Sequence, residues 1–67
     1  MQIKAKETFK EVRIKKGYSL TALAEEMNVS TSVVFNIENH KNVRPATARK
    51  ACTALNEAFE TLFTIEN

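Results

Sequence analysis

The chain has 67 residues and a net charge of +2. This length is enough for one domain, over residues 1–67. A single cysteine and a single histidine exclude an internal disulfide and a zinc-finger-type cluster. It has no aspartate and no glycine-rich phosphate loop, so we expect neither catalysis nor a metal or other cofactor. No apolar run approaches the roughly 20 residues of a membrane span. The N-terminus also lacks the apolar stretch of a signal peptide, which predicts a cytoplasmic protein without a membrane segment.

Helical periodicity begins near the N-terminus. The first predicted helix covers about Ala5–Lys16 and ends at Gly17, the only glycine, after two lysines that suit the negative end of a helix dipole. Ser19 can then cap a second helix, SLTALAEEM, whose apolar residues recur at helical spacing up to Met27. Asn28 interrupts this pattern and predicts the end of the helix.

Three further helices follow. Ser30 is placed to cap a third helix over about Thr31–Asn39, and Pro45 suits the first turn of a fourth that runs to about Leu55. A short last helix is predicted over about Ala58–Ile65. No segment shows strand-like alternation of useful length, so the sequence predicts an all-α fold, a compact domain of five short helices.

Charge is distributed unevenly along the chain. Residues 1–50 contain all ten Lys and Arg and five Glu, a net charge of +5, whereas residues 51–67 contain three Glu and no base. This asymmetry is typical of a protein with one part that faces a polyanion and another with a different role. A merely solvated charged surface is the alternative on charge alone.

The segment from Ser19 to Asn39 carries most of the functional information. Two helices of about eight residues are joined by a tight turn, as in a helix-turn-helix, whose second helix enters the major groove of DNA. A small residue is needed where the helices cross, an asparagine tolerates the left-handed turn position, and apolar residues fill the crevice between the helices. These scaffold requirements are met by Ala24, Asn28, Val29, Val34 and Ile37.

At these spacings LTALAEEMNVSTSVVFNIENHKNVRP resembles the helix-turn-helix of the Cro and lambdoid phage-repressor (XRE-like) family. The similarity extends from about Phe9 to Phe63 and rests on LAEEMNVS, IEN and the RP that opens the fourth helix. The resemblance implies a five-helix lambda-repressor-like domain with its helix-turn-helix at about residues 20–39. It also implies a homodimer on double-stranded DNA with two third helices in successive major grooves.

The resemblance assigns roles residue by residue. Thr31, Ser32 and Asn36 fall on base-reading positions, and the outward apolar residues Val33 and Phe35 lie on the same helix. Arg13 and Glu38 match an ion pair that in some relatives is largely buried between helices 1 and 3. The positions that contact the DNA backbone are Ser19, Leu20, Asn39, Lys41 and Arg44.

The chain departs from the family pattern at several positions. Leu20 stands where the family often has a phosphate-clamping glutamine, so that only its backbone N–H can take this role. Glycine is usual where Asn28 and His40 stand. Phe35 replaces an outward polar residue, and it either meets thymine methyl groups or packs against a protein partner.

These observations predict a sequence-specific transcriptional regulator, a repressor of the Cro-like or controller type, which binds an inverted-repeat operator as a homodimer. The last helix has only acidic charge, and we expect Phe59 and Leu62 to close the core while Phe63 and Ile65 form the dimer surface. The alternative is a protein-interaction module on the same fold, an antitoxin or antirepressor. In that case Leu20, Val33 and Phe35 would form one apolar patch for a protein partner.

Overall fold

The computed structural model describes all 67 residues. Five helices form the body of the domain, and a two-stranded antiparallel sheet joins the two ends of the chain. The elements in chain order are β1 (Gln2–Ala5), α1 (Thr8–Lys15), α2 (Leu20–Met27), α3 (Thr31–Glu38), α4 (Pro45–Leu55), α5 (Phe59–Leu62) and β2 (Phe63–Glu66). The five predicted helices are therefore confirmed.

The sheet was not predicted, and it shortens two of the predicted helices. α1 begins at Thr8 rather than Ala5, and α5 ends at Leu62 rather than Ile65. Ile3 lies opposite Ile65 and Ala5 lies opposite Phe63, so alternate residues of both strands share one face. Four residues per strand are too few for a recognisable alternation, and each strand is stabilised only by its partner from the other end of the chain.

The hydrophobic core contains fourteen buried residues, and both strands contribute to it. Leu62 is fully buried, as expected, but Phe59 is only partly buried and Phe63 is 1% exposed. The expected division between Phe59 and Phe63 is therefore wrong. Phe63 starts a strand instead of lying within the predicted helix, and its ring packs against Phe9 with 5.7 Å between ring centroids.

The helix ends follow the predicted local chemistry with one exception. Asn28 and Asn56 end α2 and α4 in the left-handed conformation, with φ values of 59° and 55°. The Ser19 side chain accepts a hydrogen bond from the Ala22 N–H at 3.0 Å and so caps α2. Ser30 precedes α3 in an extended conformation, but its side chain makes no capping hydrogen bond.

The helices are short. None of them combines the length and the apolar character that crossing a membrane would require.

Candidate nucleic-acid interface

α2 and α3 are joined by a turn that is closed by backbone hydrogen bonds. The Val29 N–H donates to the Ala24 carbonyl at 2.9 Å, while Asn28 takes the left-handed conformation that glycine or asparagine tolerates best. The Ala24 side chain is 2% exposed, so a larger residue would separate the two helices. The chain therefore adopts the helix-turn-helix geometry that the spacing predicted.

The orientation of α3 is determined by its two buried residues, Val34 and Ile37. Since successive residues of a helix turn by about 100°, the opposite side faces solvent. Val33 does not belong to the solvent-facing side, because it is half-buried and packs against the core. The prediction that Val33 lies on the exposed face of the third helix is therefore wrong. The exposed face consists of Thr31, Ser32, Phe35, Asn36 and Asn39, which we call the reading face.

One flank of α3 is anchored to α1 by an ion pair. The Arg13 guanidinium contacts the Glu38 carboxylate through Nε, and its Nη2 lies 3.3 Å from Glu38 Oε1. Arg13 Nη1 also donates to the Tyr18 carbonyl at 2.7 Å. Arg13 is 8% exposed and is the only buried charged residue, so this bidentate pair connects α1, the loop before α2 and the end of α3. The pair expected between helices 1 and 3 is present.

The other flank of α3 is anchored to β1 through the loop that follows the helix. The Ile3 N–H donates to Asn42 Oδ1 at 3.1 Å, and the Val43 N–H donates to the Ile3 carbonyl at 2.8 Å. His40, with a positive φ of 61°, places its Nδ1 2.8 Å from the Ala5 carbonyl oxygen. The loop is thus held along β1 and directs Lys41 and Arg44 to the surface beside α3.

The supporting role of Asn42, Val43 and β1 was not predicted from the sequence. The signal was weak, because HKNVR is a polar stretch between two helices and contains only one buried side chain, that of Val43. The only further indication of a strand was the pair of apolar residues Ile3 and Ala5. The predicted first helix started at Ala5 and so already accounted for one of these two residues. Pairing with a strand sixty residues away becomes visible only in the folded chain.

Asn39 lies at the end of α3 and is exposed. Its Nδ2 donates to the Phe35 carbonyl at 2.8 Å, so the side chain closes the last turn of the helix. One hydrogen of the same amide group remains available for an acceptor outside the protein.

Positive groups surround the reading face. Lys10, Lys41 and Arg44 are exposed, and none of them forms a salt bridge within the chain. At the start of α2 the Leu20 and Thr21 N–H groups precede the first intrahelical donor, Leu23, and they lack backbone partners. Free cations together with unpaired N–H groups at the start of a helix are the groups that bind phosphate oxygens.

Two shallow hollows border the reading face and differ in the residues that line them. The hollow beside α1 and α2 is lined by Lys10, Arg13, Leu20, Phe35, Glu38 and Asn39. The hollow beside the loop is lined by polar and apolar side chains in about equal measure: Asn36, Asn42, Arg44 and Thr47 together with Val33, Ile37 and Val43. The patch expected from Leu20, Val33 and Phe35 is consequently divided, because Val33 borders the second hollow and the other two border the first.

The comparisons with known proteins agree with this geometry. A family model described as helix-turn-helix matches residues 9–62, which is most of the chain and runs from the second residue of α1 to the end of α5. A comparison with curated proteins finds no match. The matched segment contains both helices of the motif, the turn, the Arg13–Glu38 pair and the loop after α3, but not β1. The chain therefore belongs to the helix-turn-helix family of DNA-binding transcription regulators, in agreement with its Cro-like (XRE) resemblance.

Proposed function

We propose that this protein is a sequence-specific repressor that binds an inverted-repeat operator as a homodimer, with α3 of each subunit in the major groove. The observation that carries this proposal is the reading face, a solvent-exposed side of α3 bordered by phosphate-binding groups on both sides. Repression needs only occupancy of the operator, whereas activation also needs a surface that contacts the polymerase.

Within this proposal the base contacts come from the exposed residues of α3. Thr31 and Ser32 lie in its first turn, which approaches the base edges in this type of complex. Asn36 is exposed one turn later, and its amide can pair with N6 and N7 of adenine. Phe35 offers an apolar contact, and the half-buried Val33 packs against the core beside the reading face.

The DNA backbone contacts come from both flanks. Ser19 and the Leu20 N–H lie at the start of α2, where the helix dipole favours a phosphate. On the other side Lys41 and Arg44 project from the loop that is held along β1, and Asn39 contributes its remaining amide hydrogen. Contacts on both sides of α3 would fix its register in the groove.

The dimer surface that we propose is an apolar groove of about 510 Å³ between the sheet, α4 and α5. Ile65 is 51% exposed there, and Met1, Phe59 and Cys52 line the groove beside it. Phe63 is excluded from this surface by its burial. Arg49 borders the groove without a salt bridge, so a second copy with its acidic C-terminal segment would complement both charge and apolarity.

The edge of β2 adds a second reason for this surface. Ile3 uses its N–H and its carbonyl for Asn42 and Val43, so the pair Ile3–Ile65 exchanges no hydrogen bonds. In an antiparallel ladder the backbone groups of such a residue point away from its partner strand. The N–H and carbonyl of Ile65 therefore face the open edge of the sheet, where another strand can pair with them.

The test of DNA binding is selection of duplexes from a random pool, followed by footprinting and by titration at several salt concentrations. We expect an inverted repeat with two protected half-sites. The logarithm of the affinity should fall with the logarithm of salt by about 0.9 for each phosphate contacted. A salt-independent affinity, or no duplex binding at low salt, would contradict the proposal.

The test of the dimer uses Ile65→Glu, with Ile14→Glu as its control. Ile14 is 57% exposed on α1 and does not line the groove, so both variants add the same charge at similarly exposed sites. We expect sedimentation to show a monomer for Ile65→Glu and an unchanged dimer for Ile14→Glu. Equal behaviour of the two variants would exclude this groove as the interface.

Cys52 provides an independent readout of the same groove. Burial raises the pKa of its thiol and the nearby Glu60 raises it further, so the thiolate that reacts with labelling reagents is scarce at neutral pH. Dimerisation would cover Cys52 and slow its alkylation with increasing protein concentration. A labelling rate that does not change over the concentration range of the dimer would contradict the assignment.

A protein-interaction module, an antitoxin or antirepressor, is the second candidate, and the exposed Phe35 is the observation that favours it. Its apolar surface is smaller than expected, because Val33 lies apart from Leu20 and Phe35. Pull-down and duplex binding with the wild type and Phe35→Ala separate the two functions. Loss of a protein partner with unchanged DNA affinity would favour the second.

A further inference from the structure

Phe35 is an unusual residue for the surface that it occupies. Its side chain is 56% exposed in the middle of the reading face, although it has no polar atom. The residues around it on this face, Ser32, Asn36 and Asn39, are all polar. Such an apolar residue contributes to binding only if it becomes buried against an apolar group of the partner.

The hollow beside Phe35 combines two apolar side chains, those of Phe35 and Leu20, with a charge-paired floor. Leu20 forms its apolar wall on the side of α2, while Arg13 and Glu38 neutralise each other beneath it. Lys10 is the one free charge at its border, and it is available for a phosphate. Phe35 and Leu20 offer no side-chain hydrogen bond, so they cannot distinguish donors from acceptors on a base edge.

Only one apolar group is presented in the major groove of DNA. It is the methyl group on C5 of thymine, and a cytosine methylated at C5 presents a methyl at the same position. We infer that the Phe35–Leu20 hollow binds the C5 methyl group of a 5-methylpyrimidine, and that this contact selects thymine or 5-methylcytosine at one position of each half-site. This inference rests on the proposed function.

The charge around the hollow favours DNA over an apolar protein surface as the occupant. Lys10 lies on one side of Phe35 and Arg44 lies on the other side of α3, both without carboxylate partners. Burying Phe35 against a protein would bring these cations close to that protein as well. A duplex complements both features, because its phosphates meet the cations while its groove presents the methyl group.

The two hollows divide the recognition between them. Asn36 borders the hollow beside the loop with Arg44 and Asn42, whereas Phe35 borders the other hollow with Leu20. Asn36 can identify a base by hydrogen bonds, whereas Phe35 and Leu20 respond only to a methyl group and to shape. Removal of the methyl group should therefore affect one side alone.

The experiment starts from the duplex selected from the random pool and replaces each thymine in turn by deoxyuridine, which lacks only the methyl group. We expect one position per half-site at which the affinity of the wild-type protein falls about fourfold, the effect of exposing one buried methyl-sized group. At the same position, replacement by cytosine should weaken binding, and 5-methylcytosine should bind about fourfold better than cytosine.

Variants of the protein locate the contact. Phe35→Ala should bind the thymine and deoxyuridine duplexes equally, while Asn36→Ala and Ile14→Ala should keep the wild-type ratio. Ile14 is the matched control, because it is an equally exposed apolar residue outside the reading face. The ratio compares two duplexes on one protein preparation, so it does not depend on the folded fraction of a variant.

The outcomes separate this inference from the proposed function. If deoxyuridine replaces thymine at every position without loss of affinity, the inference is overturned while DNA binding stands. It is also overturned if the ratio survives in Phe35→Ala, or if 5-methylcytosine binds no better than cytosine. Failure to bind any duplex would overturn the proposed function, and this inference with it.

Discussion

The two flanks of α3 are held by different kinds of interaction. On one side a bidentate ion pair between Arg13 and Glu38 connects α1 to the end of the helix. On the other side backbone groups of β1 hold the loop after the helix, through Asn42 and Val43. The first flank depends on two charged side chains, and the second depends mainly on peptide groups with one amide side chain.

Substitutions in the two flanks of α3 should therefore have different consequences. Removing one partner of a buried ion pair leaves an uncompensated buried charge, so the stability of the whole domain falls. Loss of one hydrogen bond along β1 leaves the pair intact and affects mainly the loop that carries Lys41 and Arg44. We therefore expect the ion-pair flank to control stability and the strand flank to control the position of the phosphate contacts.

The largest effect is expected for Arg13→Met. Arg13 is 8% exposed, and its loss leaves the Glu38 carboxylate largely buried without a partner. The free energy of unfolding should fall by about 3–5 kcal/mol, measured by chemical denaturation. The exposed Lys15→Met on the same helix is the control and should change it by less than about 0.5 kcal/mol.

The double variant Arg13→Met with Glu38→Leu sharpens this prediction. It removes both charges, so a large part of the lost stability should return. If the single and double variants are equally unstable, the packing of the arginine rather than the ion pair holds this flank.

A smaller effect is expected on the strand flank. Asn42→Ala removes the acceptor of the Ile3 N–H, and the free energy of unfolding should fall by about 1–3 kcal/mol. Asn42→Asp keeps an acceptor oxygen and serves as the matched control. Hydrogen exchange of the Val43 amide should accelerate in the first variant, because the loop separates from β1, while amides in α2 remain protected. Uniform acceleration would contradict a local role.

A comparable effect is expected on base discrimination. Asn36→Ala should reduce the preference for the selected base over its alternatives by about 1–3 kcal/mol at one position of the half-site. The measurement is binding of duplexes that differ at single positions. If Asn36→Ala weakens all sequences equally, this residue does not read a base.

The smallest effect is expected for Arg44→Ala, which removes one phosphate contact. Affinity should fall about fourfold for every sequence at 0.2 M salt, and the salt slope should decrease by about 0.9. Lys15→Ala is the control, because this exposed lysine belongs to neither hollow. An unchanged slope for Arg44→Ala would place the loop away from the DNA.

Local chemistry was sufficient to predict most of the helical part of this protein. Helix ends at Gly17, Asn28 and Asn56 follow from residues that tolerate positive φ, and Pro45 begins α4 as expected. The spacing of Ala24, Val34 and Ile37 predicts the helix-turn-helix, because each of these requirements acts within about ten residues. The resemblance supplied the pair of Arg13 and Glu38, which periodicity alone does not indicate.

Only the tertiary structure decided what happens at the two ends of the chain. Phe63 could end a helix or begin a strand on local grounds, and the strand forms because β1 supplies a partner from the opposite end of the sequence. That pairing buries Phe63, leaves Ile65 at an open edge and holds the loop that carries Lys41 and Arg44. A hydrogen-bonded ladder between residues sixty positions apart depends on closure of the whole chain, which no local pattern contains.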